Sequence, residues 1–125
     1  MVNKAKTAQI FLDLIEIIAR LRAPDGCPWD REQTHESLLP YFLEEAYEVI
    51  ESVELKNWET LKEELGDVLL HVLLQAQIAK ESNQFDIIDT IKGINGKLIK
   101  RHPHVFEKKK NKNSLQTKKD WEAQK

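Results

Sequence analysis

Apolar positions recur along this chain with the spacing of helices rather than strands. Ile10, Phe11, Leu14, Ile17, Ile18 and Leu21 fall three to four residues apart, the period of one helix face. They predict a helix from about residue 7 to residue 22, with Thr7 as its N-cap. Pro24, Asp25, Gly26 and Pro28 end it and open a loop reaching to about Glu36. A second helix is expected from about Ser37 to Leu55, with Pro40 tolerated in its first turn. Asn57 is placed to cap a third, from Trp58 to about Ser82, and Asn83 and Gln84 then break the pattern. Asp86 caps a fourth, which runs to Lys100 or Arg101 and stops before Pro103; Gly93 and Gly96 weaken it without interrupting its period. Residues 107–117 are rich in Lys and Asn and read as a mobile linker, and the tail from 118 to 125 as one or two helical turns carrying Trp121. Strand-like alternation of useful length is absent. The expectation is an all-α, four-helix-bundle-like fold, with residues 1–106 as the helical domain and 107–125 as a basic linker and short helical tail.

Within that pattern the polar positions of the second and third helices are the unusual ones. Phe42, Ala46, Val49, Ile50 and Val53 centre an apolar stripe on the second helix; Glu45 lies at its edge, Glu48 further out and Glu44 further still. On the third helix Glu64, Asp67, His71 and Gln75 form one polar strip. Leu61, Leu65, Val68 and Val72 flank it on one side, and Leu70, Leu74 and Ile78 on the other. A strip so flanked is expected inside an assembly, where unpaired like charges are costly and raise one another's pKa. A divalent cation relieves that cost. Magnesium takes hard oxygen ligands, a few carboxylates completed by waters and phosphate oxygens, and two helices each offering an acidic i,i+3 pair can supply them. The competing interpretation is a solvated charged face, which the second helix by itself would fit equally well. Apolar residues nearly surround the third helix, and Leu70, Leu73 and Leu74 exceed what four short helices easily cover. That surface implies a homodimer or higher homo-oligomer, the alternative being cover from the chain's own first helix.

Composition narrows the class without adding chemistry. The chain has 125 residues, 41% hydrophobic and 32% charged, as befits one soluble domain. No run approaches the roughly 18 apolar residues of a membrane span, and Met1-Val2-Asn3-Lys4 leads into an amphipathic segment rather than a secretory signal, so a cytoplasmic location is expected. The single cysteine, Cys27, has no internal disulfide partner and no zinc-like cluster around it. A net charge of −2 conceals acidic residues gathered between Glu44 and Glu64 and basic ones between Lys97 and Lys119. Such a balance argues against broad nucleic-acid binding but leaves room for an anion site.

The string Leu43-Glu44-Glu45-Ala46-Tyr47-Glu48, followed by Glu64-Leu65-Gly66-Asp67, resembles the EExxE…ExxD signature of the MazG family. Glu32-Gln33-Thr34 adds to the likeness. Gly26-Cys27-Pro28-Trp29-Asp30 and Arg101-His102-Pro103-His104-Val105-Phe106 resemble in particular the N-terminal MazG domain of two-domain members. The resemblance runs from about residue 10 to Trp121. It implies a fold related to dimeric dUTPases and magnesium-dependent hydrolysis of nucleoside triphosphates to monophosphate and pyrophosphate, with manganese as a substitute ion. Carried over residue by residue, the metal ligands fall on Glu45, Glu48, Glu64 and Asp67, the same four that helix facing selects. Glu44 or Glu45 would act as base toward the attacking water. Asn95, Lys97 and Arg101 match the family's phosphate-binding pattern, and Trp29 or Trp121 would stack on the base. The role so implied is house-cleaning of the nucleotide pool; the alternative is a catalytically weak dimerisation or regulatory domain of the same fold.

Other chemistry-bearing residues have plainer expectations. His71 is expected to pack or hydrogen-bond, His102 and His104 to shape a helix-ending turn, Cys27 to be a small buried residue and Trp58 to belong to the core. A di-iron carboxylate bundle needs Glu-x-x-His on two helices, and only Glu32-Gln33-Thr34-His35 has that spacing, in the expected loop.

Overall fold

The structure is a computed structural model, and it describes residues 2–107 and 114–123. Among the described residues every regular element is helical: α1 (Lys4–Leu21), α2 (Pro28–Glu32), α3 (Leu39–Glu54), α4 (Trp58–Glu81), α5 (Ile87–Arg101), α6 (Pro103–Phe106) and α7 (Ser114–Ala123). Most of the expected basic linker, residues 108–113, lies outside the described residues. Among the described residues no helix is long and apolar enough to cross a membrane. The chain divides into two compact units, Met1–Asp86 and Ile87–Lys125.

Cap chemistry explains the helix boundaries. Asn3, not Thr7, starts α1: its side chain accepts from the Lys6 N–H at 3.0 Å, and the amphipathic period extends one turn earlier than expected. Asn57 caps α4 as expected, accepting from the Thr60 N–H at 3.2 Å. The ends of α3 and α4 are closed alike. Lys56 (φ 53°) and Asn83 (φ 58°) adopt left-handed backbone. In each case the following amide reaches back to the last turn, Asn57 N–H to Ser52 O at 3.0 Å and Gln84 N–H to Ala79 O at 2.9 Å. That doubly bonded C-terminal turn satisfies carbonyls that would otherwise be orphaned. The expected loop 24–36 is interrupted by α2, because Pro28 sits at a helix start where its missing N–H costs nothing.

In the first unit α4 is the axis, with α3 folded back along it through Leu55–Asn57 and α1 packed on it as well. The core gathers on the C-terminal half of α4, where Leu73, Leu74, Ala76, Ile78 and Ala79 are buried together with Ile18 of α1 and Leu38. Leu73 and Leu74 are therefore buried within this chain and need no second copy to cover them. Apolar residues left open in this unit include Leu43, Tyr47, Ile50 and Val53 on α3, Trp58, Leu65 and Leu69 on the first half of α4, and Ile10 and Ile17 on α1. Trp58 is not a core residue of this chain: 63% of it is exposed, at the first position of α4.

One buried cation ties the connections together. The Arg22 guanidinium, with its side chain only 6% exposed, holds Glu81 through two bonds of 2.9 and 2.8 Å and also donates to the carbonyls of Asp30 and Gln33. It joins the end of α1, the α2 segment and the end of α4. Hydrogen bonding to Arg22 keeps the Glu81 carboxyl below the usual carboxylate range. A second tie runs from Gln75 of α4 to His35, whose ring Nδ1 and backbone carbonyl it engages.

In the second unit α5 ends at Arg101 and Pro103 opens α6. His102 Nδ1–H donates to the Leu98 carbonyl at 2.7 Å, which supports the turn role expected for it. The Arg101 guanidinium lies 4.4 Å from the centre of the Trp121 ring on α7, close enough for a cation–π contact.

Candidate metal centre

The acidic pairs occupy facing turns of an antiparallel helix pair. Glu45 and Glu48 are three apart on α3, and Glu64 and Asp67 three apart on α4, so each pair projects from one face of its helix. The α3–α4 packing brings the two faces together, and one carboxylate oxygen from each of the four residues lies within 4.8 Å of the others. Glu45, Glu48 and Glu64 are half-buried.

Electrostatically the cluster is unbalanced. Among the described residues no Lys, Arg or His forms an ion pair with any of the four. Glu45 Oε2 and Glu64 Oε2 are buried without a hydrogen-bond partner. The Glu64 carboxyl is pushed up to about 8, first by the hydrogen bond it shares with Glu48 and then by desolvation, the hydrogen bond to Glu45 and the charges of Glu48 and Asp67. Burial likewise raises Glu45, with the Glu48 hydrogen bond adding to it. Four hard oxygen donors at short range, with no basic partner among the described residues, form a group that could hold a divalent cation.

The remaining residues singled out from the sequence fall in three places. Glu44, one residue before Glu45, is exposed and outside the four-carboxylate group. Trp29 is half-exposed on α2, edge-on to Tyr41 with ring centres 6.0 Å apart. Asn95 and Lys97 are exposed on α5, and Arg101 and Trp121 face one another as described, all four within the second unit. His71 is buried against the Phe42 ring at 5.7 Å, and burial lowers its pKa despite the charge of Asp67. Its Nδ1 has no partner, so packing rather than hydrogen bonding is its visible role. Cys27 is half-buried with a free thiol.

Reasoning from sequence missed the cavity beside the cluster. About 360 Å³ in volume, it is lined by Glu48, Glu51, Ser52, Leu55, Asn57, Thr60 and Glu64, and it runs from the carboxylates toward the α3–α4 turn. The signal was present in the spacing: Ser52 follows Glu48 by four residues and Thr60 precedes Glu64 by four, so both extend the same facing strips by one turn.

Comparison with known proteins gives the fold and site a context. Residues 33–106 match the family model described as the MazG nucleotide pyrophosphohydrolase domain. The chain is 58% identical over 97 residues to the nucleoside triphosphate pyrophosphohydrolase/pyrophosphatase MazG of Thermotoga maritima, covering 78% of this chain and 38% of that protein. It is 44% identical over 110 residues to the nucleoside triphosphate pyrophosphohydrolase of Escherichia coli, covering 87% of this chain and 42% of the relative. The chain thus spans about two fifths of the length of these relatives. Among solved structures it is similar to a mazG-related protein from Thermotoga maritima, at a TM-score of 0.73 and 32% identity, covering 89% of this chain and 95% of the other.

Proposed function

The chain belongs to the MazG family of nucleotide pyrophosphohydrolases, and from that premise we propose that it hydrolyses nucleoside triphosphates to monophosphate and pyrophosphate. The observation that carries the proposal is the carboxylate cluster, four oxygens within 4.8 Å of one another with no basic partner among the described residues. Glu45, Glu48, Glu64 and Asp67 would hold the divalent cation, magnesium, with manganese as substitute. When bound, that ion supplies positive charge for the phosphate oxygens and lowers the pKa of water.

The chain's own groups divide the remaining work. A triphosphate cannot approach four bare carboxylates, so the cluster makes substrate binding conditional on the ion. Glu45 has raised proton affinity and an unpartnered buried Oε2, which suits it to take the proton of the attacking water. Glu44, exposed on the adjacent position, would orient that water. Water oxygen bonds to the α-phosphorus, the bridging bond to the β-phosphate breaks, and its electron pair leaves with pyrophosphate. Roles for Asn95, Lys97 and Arg101 on the phosphates, and for Trp29 or Trp121 on the base, are proposed on the family resemblance alone.

We further propose that the protein works as a homodimer in the cytoplasm, clearing unwanted triphosphates from the nucleotide pool. Support for the dimer comes from Leu43, Tyr47, Ile50 and Leu65, apolar side chains about half or more exposed on adjacent helices.

The deciding experiment measures pyrophosphate and monophosphate released from a panel of canonical and modified triphosphates, with and without magnesium. Magnesium-dependent release that Glu64→Gln abolishes, in a protein of unchanged helical content, is the expected result. Failure to release pyrophosphate from any substrate would favour the catalytically weak dimerisation or regulatory domain.

A further inference from the structure

The polar strip along α4 holds two residues with complementary deficits. Glu45, Glu48 and Glu64 share hydrogen bonds with one another, whereas Asp67 acts on them through its charge alone and is the exposed member of the four. A side chain held by charge alone has no fixed orientation. One helical turn further along, His71 shows the opposite lack. It is only 6% exposed, and its ring Nδ1 is buried without a partner. An unpaired polar nitrogen in such a place is costly, so its partner is to be sought among the groups within its reach.

Three neighbours compete for that place. Gln75, the next member of the strip, is turned to the segment before α3: its Nε2–H donates to the His35 carbonyl at 3.1 Å, and its Oε1 accepts from the His35 ring Nδ1–H. Phe42 of α3 lies tilted against the His71 ring, with centres 5.7 Å apart, and has no polar atom in its side chain to offer. Asp67 precedes His71 by four residues, so the two share one face of α4. Helical side chains lean toward the N-terminus, which directs the His71 ring back over the turn that carries Asp67. The charge of Asp67 already acts on that ring. Nδ1 carries the hydrogen in one neutral tautomer and a lone pair in the other, and only the first answers a carboxylate.

We propose that His71 is a positioning residue of the metal centre: its Nδ1–H donates to the Asp67 carboxylate and holds that side chain toward Glu45, Glu48 and Glu64. His71 touches neither ion nor substrate and acts through Asp67. The inference rests on the reading of the four carboxylates as a cation site. It goes beyond that reading by giving a buried residue outside the ligand set the task of orienting the exposed ligand. Groups that orient a metal ligand from behind are commonly worth about ten- to a hundredfold in affinity. Asp67 is one ligand of four, so the lower end, about tenfold, is expected here.

The test measures manganese binding to the full chain by isothermal titration, without nucleotide, so that affinity is read rather than turnover. His71→Leu fills the site without a donor, and His71→Asn places an amide N–H near the position of Nδ1. The dissociation constant should rise about tenfold in His71→Leu and stay within about threefold of wild type in His71→Asn. A merely structural effect is separated by a double-mutant cycle: in an Asp67→Ala background, adding His71→Leu should weaken manganese no further. In the wild type saturated with magnesium, nitrogen-15 spectra should place the ring proton of His71 on Nδ1, a reading that requires no variant to fold. Unchanged affinity in His71→Leu would overturn the proposal, as would an equal tenfold loss in the Asp67→Ala background or a ring proton confined to Nε2. A wild type that bound no manganese would remove the cation site and this role together; intact binding in His71→Leu removes the role of His71 alone.

Discussion

Adding a divalent cation to the metal-free protein should expel a proton, and the amount can be worked from the cluster. Four carboxylates share too little space to ionise together, and Glu64 carries the consequence with a pKa near 8. At about pH 7 a group of pKa about 8 is some 90% protonated, so the cluster keeps about 0.9 of a proton that an ion must displace. Glu45, raised by burial, can only add to this. Apparent affinity for magnesium or manganese should consequently weaken by about tenfold for each pH unit below about 8, and proton release should fall to about 0.1 near pH 9. Isothermal titration in two buffers of different ionisation enthalpy reads the released proton directly, and Glu64→Gln should remove it. Stability follows with the same sign. A carboxyl raised in the folded state stabilises the metal-free fold below its unfolded value of 4.5, and that contribution is lost as pH rises through about 8. The metal-free protein should therefore melt progressively lower across that window, and added ion should restore most in its upper part. Binding near pH 7 that released no proton would refute the idea that the four carboxylates form one electrostatic unit.

Three further outcomes follow from packing. Arg22→Ala removes four hydrogen bonds that join α1, α2 and α4 and strands the Gln33 carbonyl, while the Asp30 carbonyl keeps the Gln33 N–H; with Glu81 partly exposed to water, a loss of about 2–3 kcal/mol is expected by urea unfolding. Gly26→Ala drives a Cβ into the backbone carbonyls of Arg20 and Leu21, which cannot move aside as a side chain would, so it should cost at least about 2 kcal/mol or prevent folding; a wild-type melting temperature would disprove it. Leu43→Glu with Tyr47→Glu places charge on exposed apolar positions of α3; light scattering should register dimers for the wild type, if the proposed assembly holds, and monomers for the variant, with helical content unchanged.

Helix boundaries were legible where capping chemistry was local. Asn57 at the start of α4, Pro103 after α5 and Pro40 in the first turn of α3 all act as their side chains dictate. The start of α1 is less legible, because Asn3 and Thr7 are both competent caps and the sequence alone does not choose between them. Burial was harder to read. Leu73 and Trp58 look equally apolar in sequence, yet one is in the core and the other mostly in solvent. Periodicity assigns a face but not the point along α4 at which α1 comes to lie on it. Arg22 was invisible for a related reason: its four acceptors come from residues 30, 33 and 81, and only the tertiary fold makes them neighbours.

The carboxylate cluster was readable for the opposite reason, since every relation it needs is helical spacing plus one hairpin. Glu45 with Glu48 and Glu64 with Asp67 are each three apart, and the three-residue connection between α3 and α4 leaves little choice but to fold them face to face. Distance then converts spacing into chemistry, because carboxylates that would be harmless on separate solvated faces become a trapped proton and two orphaned oxygens once the helices touch. The same geometry carries the cavity. Moving one turn from the carboxylates toward the hairpin replaces acids with hydroxyls whose hydrogens are already spent on the helix backbone, at Ser52 on one side and Thr60 on the other.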